Sequence, residues 1–269
     1  MKQRKMDYHL HTIHSPDGEQ TMWELCENMV QRGVEEICIT DHIDPGHPEP
    51  GMDRFPVWAE WYRDAEECRS AFPQLQLRLG LEIGDLPQER EKIRKLLSEL
   101  SLDFWLLSLH VVEGMDPYDP PYFQNRSRNE AYKAYARAKM ESVCAWTEFD
   151  SVAHIGYVAK RAPYPIKNRA FRYEDAPEEM DALLKHVIRL EKCIEVNTAG
   201  YAATGDVQPH SSILKRYIDL GGEIFTFGSD SHSVSRNYDQ IERAKEQVRQ
   251  LGGKYQAAFR NHQRTLYKL

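Results

Sequence analysis

Short apolar runs alternate with amphipathic stretches along this chain, and the two periods predict a strand followed by a helix, repeated. The strand-like runs are "KMDYHLH", "EEICITDH", "LQLRLGLEI", "FWLLSLH", "DSVAHIG", "CIEVNTAG" and "EIFTFGSDSH". Between them lie helical patterns such as "TMWELCENMVQRG", "PQEREKIRKLLSEL", "APEEMDALLKHVIRLEK", "SSILKRYIDLGG" and "YDQIERAKEQVRQLGG". Pro87 opens one of these helices, and Gly33, Gly221 and Gly252 close others. Seven strands, each followed by a helix, predict a parallel sheet. No shift of composition marks a linker, so a single α/β domain over residues 1–269 is expected, its sheet closed into a barrel. Residues 43–56 and 112–128, rich in Pro, Gly and Asp, break the periodicity and read as long loops over one mouth of the fold.

The strand ends carry the chemistry. The first run ends in His9 and His11, the second in Asp41 and His42, the third in Glu82 and the fourth in His110. The fifth ends in His154 and the seventh in Asp230 and His232. Six of the chain's 11 histidines therefore sit where the strands of a parallel barrel converge on one face, the face that carries active sites. His9 and His11, two apart on a strand, can point to one place. Imidazole and carboxylate without thiolate suit zinc, iron or manganese. With Asp17, the candidates His9, His11, Asp17, His42, Glu82, His110, His154, Asp230 and His232 exceed what one four-coordinate ion uses, so two or three divalent ions are expected. A carboxylate such as Glu82 can bridge two of them. Ions about 3.5–4 Å apart suit hydrolysis of phosphate esters.

The other histidines read as structural. His47, His186, His210 and His262 lie off the strand ends, and for His14 ligation and a solvent role both stay open. Asp41 either orients a ligand imidazole or caps the turn after its strand. A formal net charge of −7 disfavours nonspecific nucleic-acid binding, and no run of about 18 apolar residues suggests a membrane span. The five cysteines are scattered with no C-x-x-C, and the N-terminal dozen has no apolar leader; a reducing cytoplasm is expected.

In order, H-x-H, T-D-H, an isolated strand-end Glu, S-x-H, A-H-x-G and G-S-D-S-H resemble the polymerase-and-histidinol-phosphatase (PHP) phosphoesterases, from Met6 to about Leu251. Length and the stretch "IEVNTAGY" look most like the histidinol-phosphate phosphatase branch, which this chain also resembles in having aspartate at Asp17. The resemblance implies a distorted TIM-like barrel of seven β/α units with a trinuclear metal centre. It implies one ion at His9, His11, Glu82 and Asp230, a second at Glu82, His110 and His154, and a third at Asp17, His42 and His232. The implied reaction is hydrolysis of L-histidinol phosphate, with Asp17, His42 and His232 as candidates to assist the leaving group. Arg161 is an expected phosphate contact and Asn197 a substrate contact. The branch commonly places a basic residue after "NTAGY"; here the chain reads "AATGDVQPHSS". Another cation (Arg126, Arg128 or Arg172) then supplies that charge, or the enzyme takes a different small phosphate monoester or nucleotide.

Overall fold

The computed structural model describes residues 4–269, so the expected domain reaches three residues beyond them at Met1. Strands β1 (Met6–Leu10), β2 (Glu36–Ile43), β3 (Gln76–Gly84), β4 (Phe104–Ser108), β5 (Ser151–Val152), β6 (Cys193–Asn197) and β7 (Ile224–Gly228) form a parallel ladder in chain order. That order follows from a crossover of one hand after every strand. The helices are α1 (Met22–Gln31), α2 (Trp58–Ala71), α3 (Arg90–Glu99), α4 (Arg128–Cys144), α5 (Ile166–Arg169), α6 (Pro177–Arg189), α7 (Gly200–Thr204), α8 (Ser211–Asp219) and α9 (Ile241–Leu251). The five helices outlined from the pattern are all present. Helices α2 and α4 carry a less regular apolar stripe, and α4 even buries Lys139 and Ser142 beside its Tyr and Ala residues. A capping box between Ser127 and Glu130 fixes its start.

The expected closure of the sheet is not reached: it stays open at one seam, which distorts the barrel. No ladder joins β1 to β7; instead Asp230 N–H donates to the His9 carbonyl at 2.9 Å and His11 N–H donates to that of Ser231 at 2.9 Å. The Asp7 carboxylate spans the seam by accepting from Ser229 N–H at 3.0 Å. Only glycine allows this approach, because a Cβ on Gly228 would stand 2.3 Å from the His9 Cβ. Lower down, β7 pairs with a strand the sequence pattern did not reveal. Residues β8 (Tyr255–Arg260) and β9 (Gln263–Lys268) form an antiparallel hairpin, and β8 runs parallel to β7. Its two turn residues, Asn261 and His262, both take positive φ, so the turn lacks the usual Asn-Gly signature.

The hairpin stoppers the barrel. Phe259 packs against Phe104 and Tyr8, with ring centroids 5.0 and 6.2 Å apart, and its N–H donates to the Tyr8 hydroxyl at 2.7 Å. Met6, Tyr8, Cys38, Phe104, Leu106 and Ala257 form this inner apolar plug, while the larger core lies between the sheet and its helices. A bulge in β1 separates plug from mouth. Asp7 pairs with Ile37 and Leu10 with Ile39, so Tyr8 and His9 together oppose Cys38. Tyr8 thus joins the plug, and His9 is re-aimed into the polar mouth above it. The long loops fall where expected, over that mouth. Among the described residues, no helix is long and apolar enough to cross a membrane.

Candidate metal centre

Glu82 is the hub of the mouth. It is fully buried at the end of β3, and five imidazoles surround its carboxylate. Oε2 lies 2.9 Å from His9 Nε2, 3.3 Å from His42 Nδ1 and 3.4 Å from His11 Nε2. Oε1 lies 2.7 Å from His154 Nε2 and 3.1 Å from His110 Nε2. Asp230, held at the left-handed φ of 54°, turns its carboxylate to within 3.5 Å of both His9 and His11. His232 completes the ring at the rim, where its Nε2 is 3.1 Å from Asp17 Oδ2.

The side chains around this ring aim it. Glu195 Oε1 lies 2.5 Å from His9 Nδ1, leaving Nε2 to face Glu82. Asp44 lies 3.1 Å from His42 Nδ1 and 2.6 Å from His110 Nδ1. It occupies the space a Cβ on Gly84 would take, 1.7 Å from its oxygen. Asp41 meets the first expectation through Ser15, and the turn it braces is the one after β1, not the one after its own strand. It accepts from Thr12 N–H at 2.7 Å and from the Ser15 hydroxyl at 2.8 Å, and Ser15 Oγ lies 3.0 Å from His11 Nδ1. The indole N–H of buried Trp61 anchors Asp41 at 2.8 Å. Trp61→Phe keeps an aromatic ring but removes that donor and part of a fully buried indole, and should cost about 2–4 kcal/mol of stability. Thermal unfolding checks it; an unchanged Tm would mean Asp41 needs no anchor.

Charge in the ring is strongly coupled. Burial favours neutral imidazoles, but the carboxylates of Glu195, Glu82 and Asp230 outweigh it at His9 and raise it well above its usual range. The same contest, with Glu82 and Asp44 as the anions, raises His42 to about 9 and His110 to about 10. His11 is driven the other way by burial and by His232 and His42, and His154 falls to about 4 through burial and Lys160. Against burial, His9, His42 and His110 hold Glu82 well below the usual carboxylate range.

The donor set fits divalent transition ions. Among the described residues, three buried ring nitrogens, His11 Nε2, His42 Nδ1 and His154 Nδ1, have no hydrogen-bond partner. Four overlapping sets bring ligand atoms within 4.8 Å of one another: His11, His42 and His232; His9, Glu82 and His154; His9, His11 and Asp230; His42, Glu82 and His110. Asp17 falls outside these sets, 3.1 Å from His232 and 3.8 Å from His42, at the mouth. Ions binding here compete with protons on His42 and His110, so affinity should rise with pH up to about 9 to 10. Loading at pH 7 should release protons, read as a binding enthalpy that changes with buffer ionisation enthalpy. No buffer dependence would contradict it.

The ring floors a cavity of about 300 Å³. Lys160, which sequence reasoning passed over for its neighbour, lines it and ion-pairs with Asp230. Arg161 lies in the adjoining cavity, 4.3 Å over the Tyr118 ring. Asn197 donates to Asp230 Oδ2 at 3.1 Å and to Glu195 Oε2 at 3.2 Å, so it braces the ring. His14 pairs with Asp64 at 3.0 Å on the far side of its turn. His186 reaches the Trp146 carbonyl, His210 caps α8, and His262 pairs with Asp150. His47 differs from its structural reading by lining the rim with Asp116. Of the alternative cations, Arg126 pairs with Glu113 and Arg128 with Asp175, and none of Arg126, Arg128 and Arg172 lines either cavity.

The PHP domain pattern matches residues 7–199. The chain is 27% identical over 258 residues to the histidinol-phosphatase of Lactococcus lactis subsp. lactis strain IL1403, covering 95% of this chain and 94% of that protein. It is 28% identical over 235 residues to a Clostridium acetobutylicum protein named "Probable histidinol-phosphatase", covering 86% and 89%. Among solved structures, the Lactococcus lactis histidinol phosphate phosphatase complexed with zinc, L-histidinol and phosphate superimposes with a TM-score of 0.88 at 26% identity, over 97% of this chain and 99% of that one. With the PHP pattern matched over residues 7–199, well over half of its length, the chain belongs to the PHP domain family.

Proposed function

We propose that this protein is a histidinol-phosphate phosphatase, a metal-dependent phosphomonoesterase releasing L-histidinol and phosphate. The observation that carries the reading is Glu82 touching five strand-end imidazoles at the floor of a cavity of about 300 Å³. Nearly full-length similarity to a phosphatase holding zinc, L-histidinol and phosphate supports the substrate. The ligand partition we favour is His9, His11, Glu82 and Asp230; Glu82, His110 and His154; and His42 and His232 with Asp17. Divalent ions bound there supply positive charge for the phosphoryl oxygens and make a water nucleophilic at neutral pH.

The chain's own residues do the rest. Glu195, Asp44 and Ser15 fix which nitrogen His9, His110 and His11 present. Lys160, already inside the cavity, is the cation placed to reach the phosphate, with Arg161 behind it. Asp17, His42 and His232 border the mouth where the ester oxygen departs, and whichever of them is not holding an ion carries the proton that oxygen takes. The whole chain acts as one domain in the cytoplasm, on a small phosphorylated substrate and without nucleic acid. The test is phosphate release from L-histidinol phosphate against a panel of sugar phosphates, nucleotides and other monoesters, with metals restored. Preference for L-histidinol phosphate is expected. Preference for another ester would replace the substrate, and no turnover of any ester would end the enzymatic reading.

A further inference from the structure

Apart from the ligand candidates, the charged residues lining the cavity of about 300 Å³ are Glu49, Asp116 and Lys160. Lys160 is paired with Asp230, which leaves two carboxylates that the metal ring does not use. They come from the two long loops over the mouth, Glu49 from residues 43–56 and Asp116 from residues 112–128. The loops meet where His47 Nε2 lies 3.4 Å from Asp116 Oδ2.

The charge on Asp116 is uncompensated. It is 9% exposed, and its carboxylate accepts from Tyr118 N–H at 2.7 Å and from the Tyr157 hydroxyl at 3.3 Å. His47 adds no positive charge. Its Nδ1 accepts from Glu49 N–H at 3.2 Å, so the proton of the ring sits on Nε2, toward Asp116. Among the described residues, no lysine or arginine lies within ion-pair distance of Asp116 or Glu49. A nearly buried carboxylate held by neutral donors alone is relieved by a cation. Beside it the Tyr118 and Tyr157 rings stack 6.0 Å apart, aromatic faces that attract a cation or a second flat ring. With the phosphate over the metal ring beside Lys160, the ester oxygen departs next to His42. Strand β2 runs from His42 straight into the loop that carries His47 and Glu49, so the rest of the ester extends under the two loops, against these carboxylates.

We propose that Asp116, with Glu49 at the rim, is the specificity-determining site for a primary ammonium on the alcohol half of the ester, so that amino-alkyl phosphates are hydrolysed in preference to the same esters without the amine. This rests on the phosphomonoesterase reading above and deepens it, since the ammonium of L-histidinol phosphate is the group the site takes. The chemistry is the same hydrolysis: a water oxygen bonds to phosphorus, the phosphorus–ester oxygen bond breaks, and the departing oxygen takes a proton. The ammonium anchors the ester and exchanges no bond.

Two matched pairs test it on the metal-loaded protein: L-histidinol phosphate against 3-(imidazol-4-yl)propyl phosphate, and L-phenylalaninol phosphate against 3-phenylpropyl phosphate. Within each pair only the amine differs. The ammonium member should have a kcat/KM higher by about tenfold or more, mainly through KM. Asp116→Asn keeps the side-chain shape and should bring that ratio toward one, and Glu49→Gln should lower it by less. A preference in one pair alone, abolished by Asp116→Asn, upholds the site and identifies the ring that seats the amine. A ratio of one or less in both pairs, or a ratio that Asp116→Asn leaves unchanged, overturns the proposal. If Asp116→Asn does not fold, Glu49→Gln, at an exposed position, decides by the same criterion. Should no ester turn over, the phosphomonoesterase reading fails by itself. The site is then judged by calorimetric dissociation constants of L-histidinol and 3-(imidazol-4-yl)propan-1-ol, where equal affinities overturn it.

Discussion

Glu82→Gln should lower kcat/KM by about 10³-fold, with a matching loss of bound metal by elemental analysis. The substitution keeps the side-chain shape at a fully buried position, so the plug and the strand ladder are left intact. What it removes is the negative charge that five imidazoles share and the oxygen pair that joins them. The amide puts an N–H₂ donor where a ligand oxygen stood, so it cannot join two ions. Circular dichroism should match the unaltered protein, separating the loss from misfolding. A Gln variant with full metal content and full turnover would remove Glu82 from the centre of the mechanism.

Chelation should reduce activity to background and lower Tm together. Ions bound only by the folded state stabilise it by mass action, about 4 kcal/mol when free metal exceeds its dissociation constant a thousandfold. Restoration should follow donor chemistry. Zinc, iron or manganese should return activity, whereas calcium, which prefers oxygen ligands, should not. Two observations decide the matter: phosphate release after dialysis against chelator, and its recovery on adding each ion. Retention of more than a tenth of the activity in metal-free protein would sink the metal centre.

The ring around Glu82 was legible because its imidazoles and carboxylates lie at or just past strand ends, whereas Asp17 lies in the turn beyond β1. An apolar run followed by His, Glu or Asp marks both the strand and the residue that it delivers, as at "GLEIG" and "SLH". What escaped depends on contacts that no local pattern records. Glu195 sits mid-strand in "IEVN" and matters because its carboxylate reaches His9, 186 residues away in sequence. Asp44 matters because Gly84, at the end of the next strand, leaves it room. Lys160 and Arg161 are adjacent, and the helical turn at Tyr157–Ala159 decides which of them enters the metal cavity. The hairpin at Tyr255–Lys268 escaped because its turn uses Asn and His in a conformation usually marked by glycine.

The extra residue opposite Cys38 makes β1 a joint rather than a rod. Its lower half is fastened to the stopper through Tyr8 and Phe259, and its upper half to the seam through His9 and Asp230. Shortening the chain by one residue at this joint would leave the lower half seated yet swing both leading imidazoles out toward the helices. The result would be a folded barrel with no catalyst, so the spacing from Tyr8 to His11 is constrained more tightly than the identity of most residues around it.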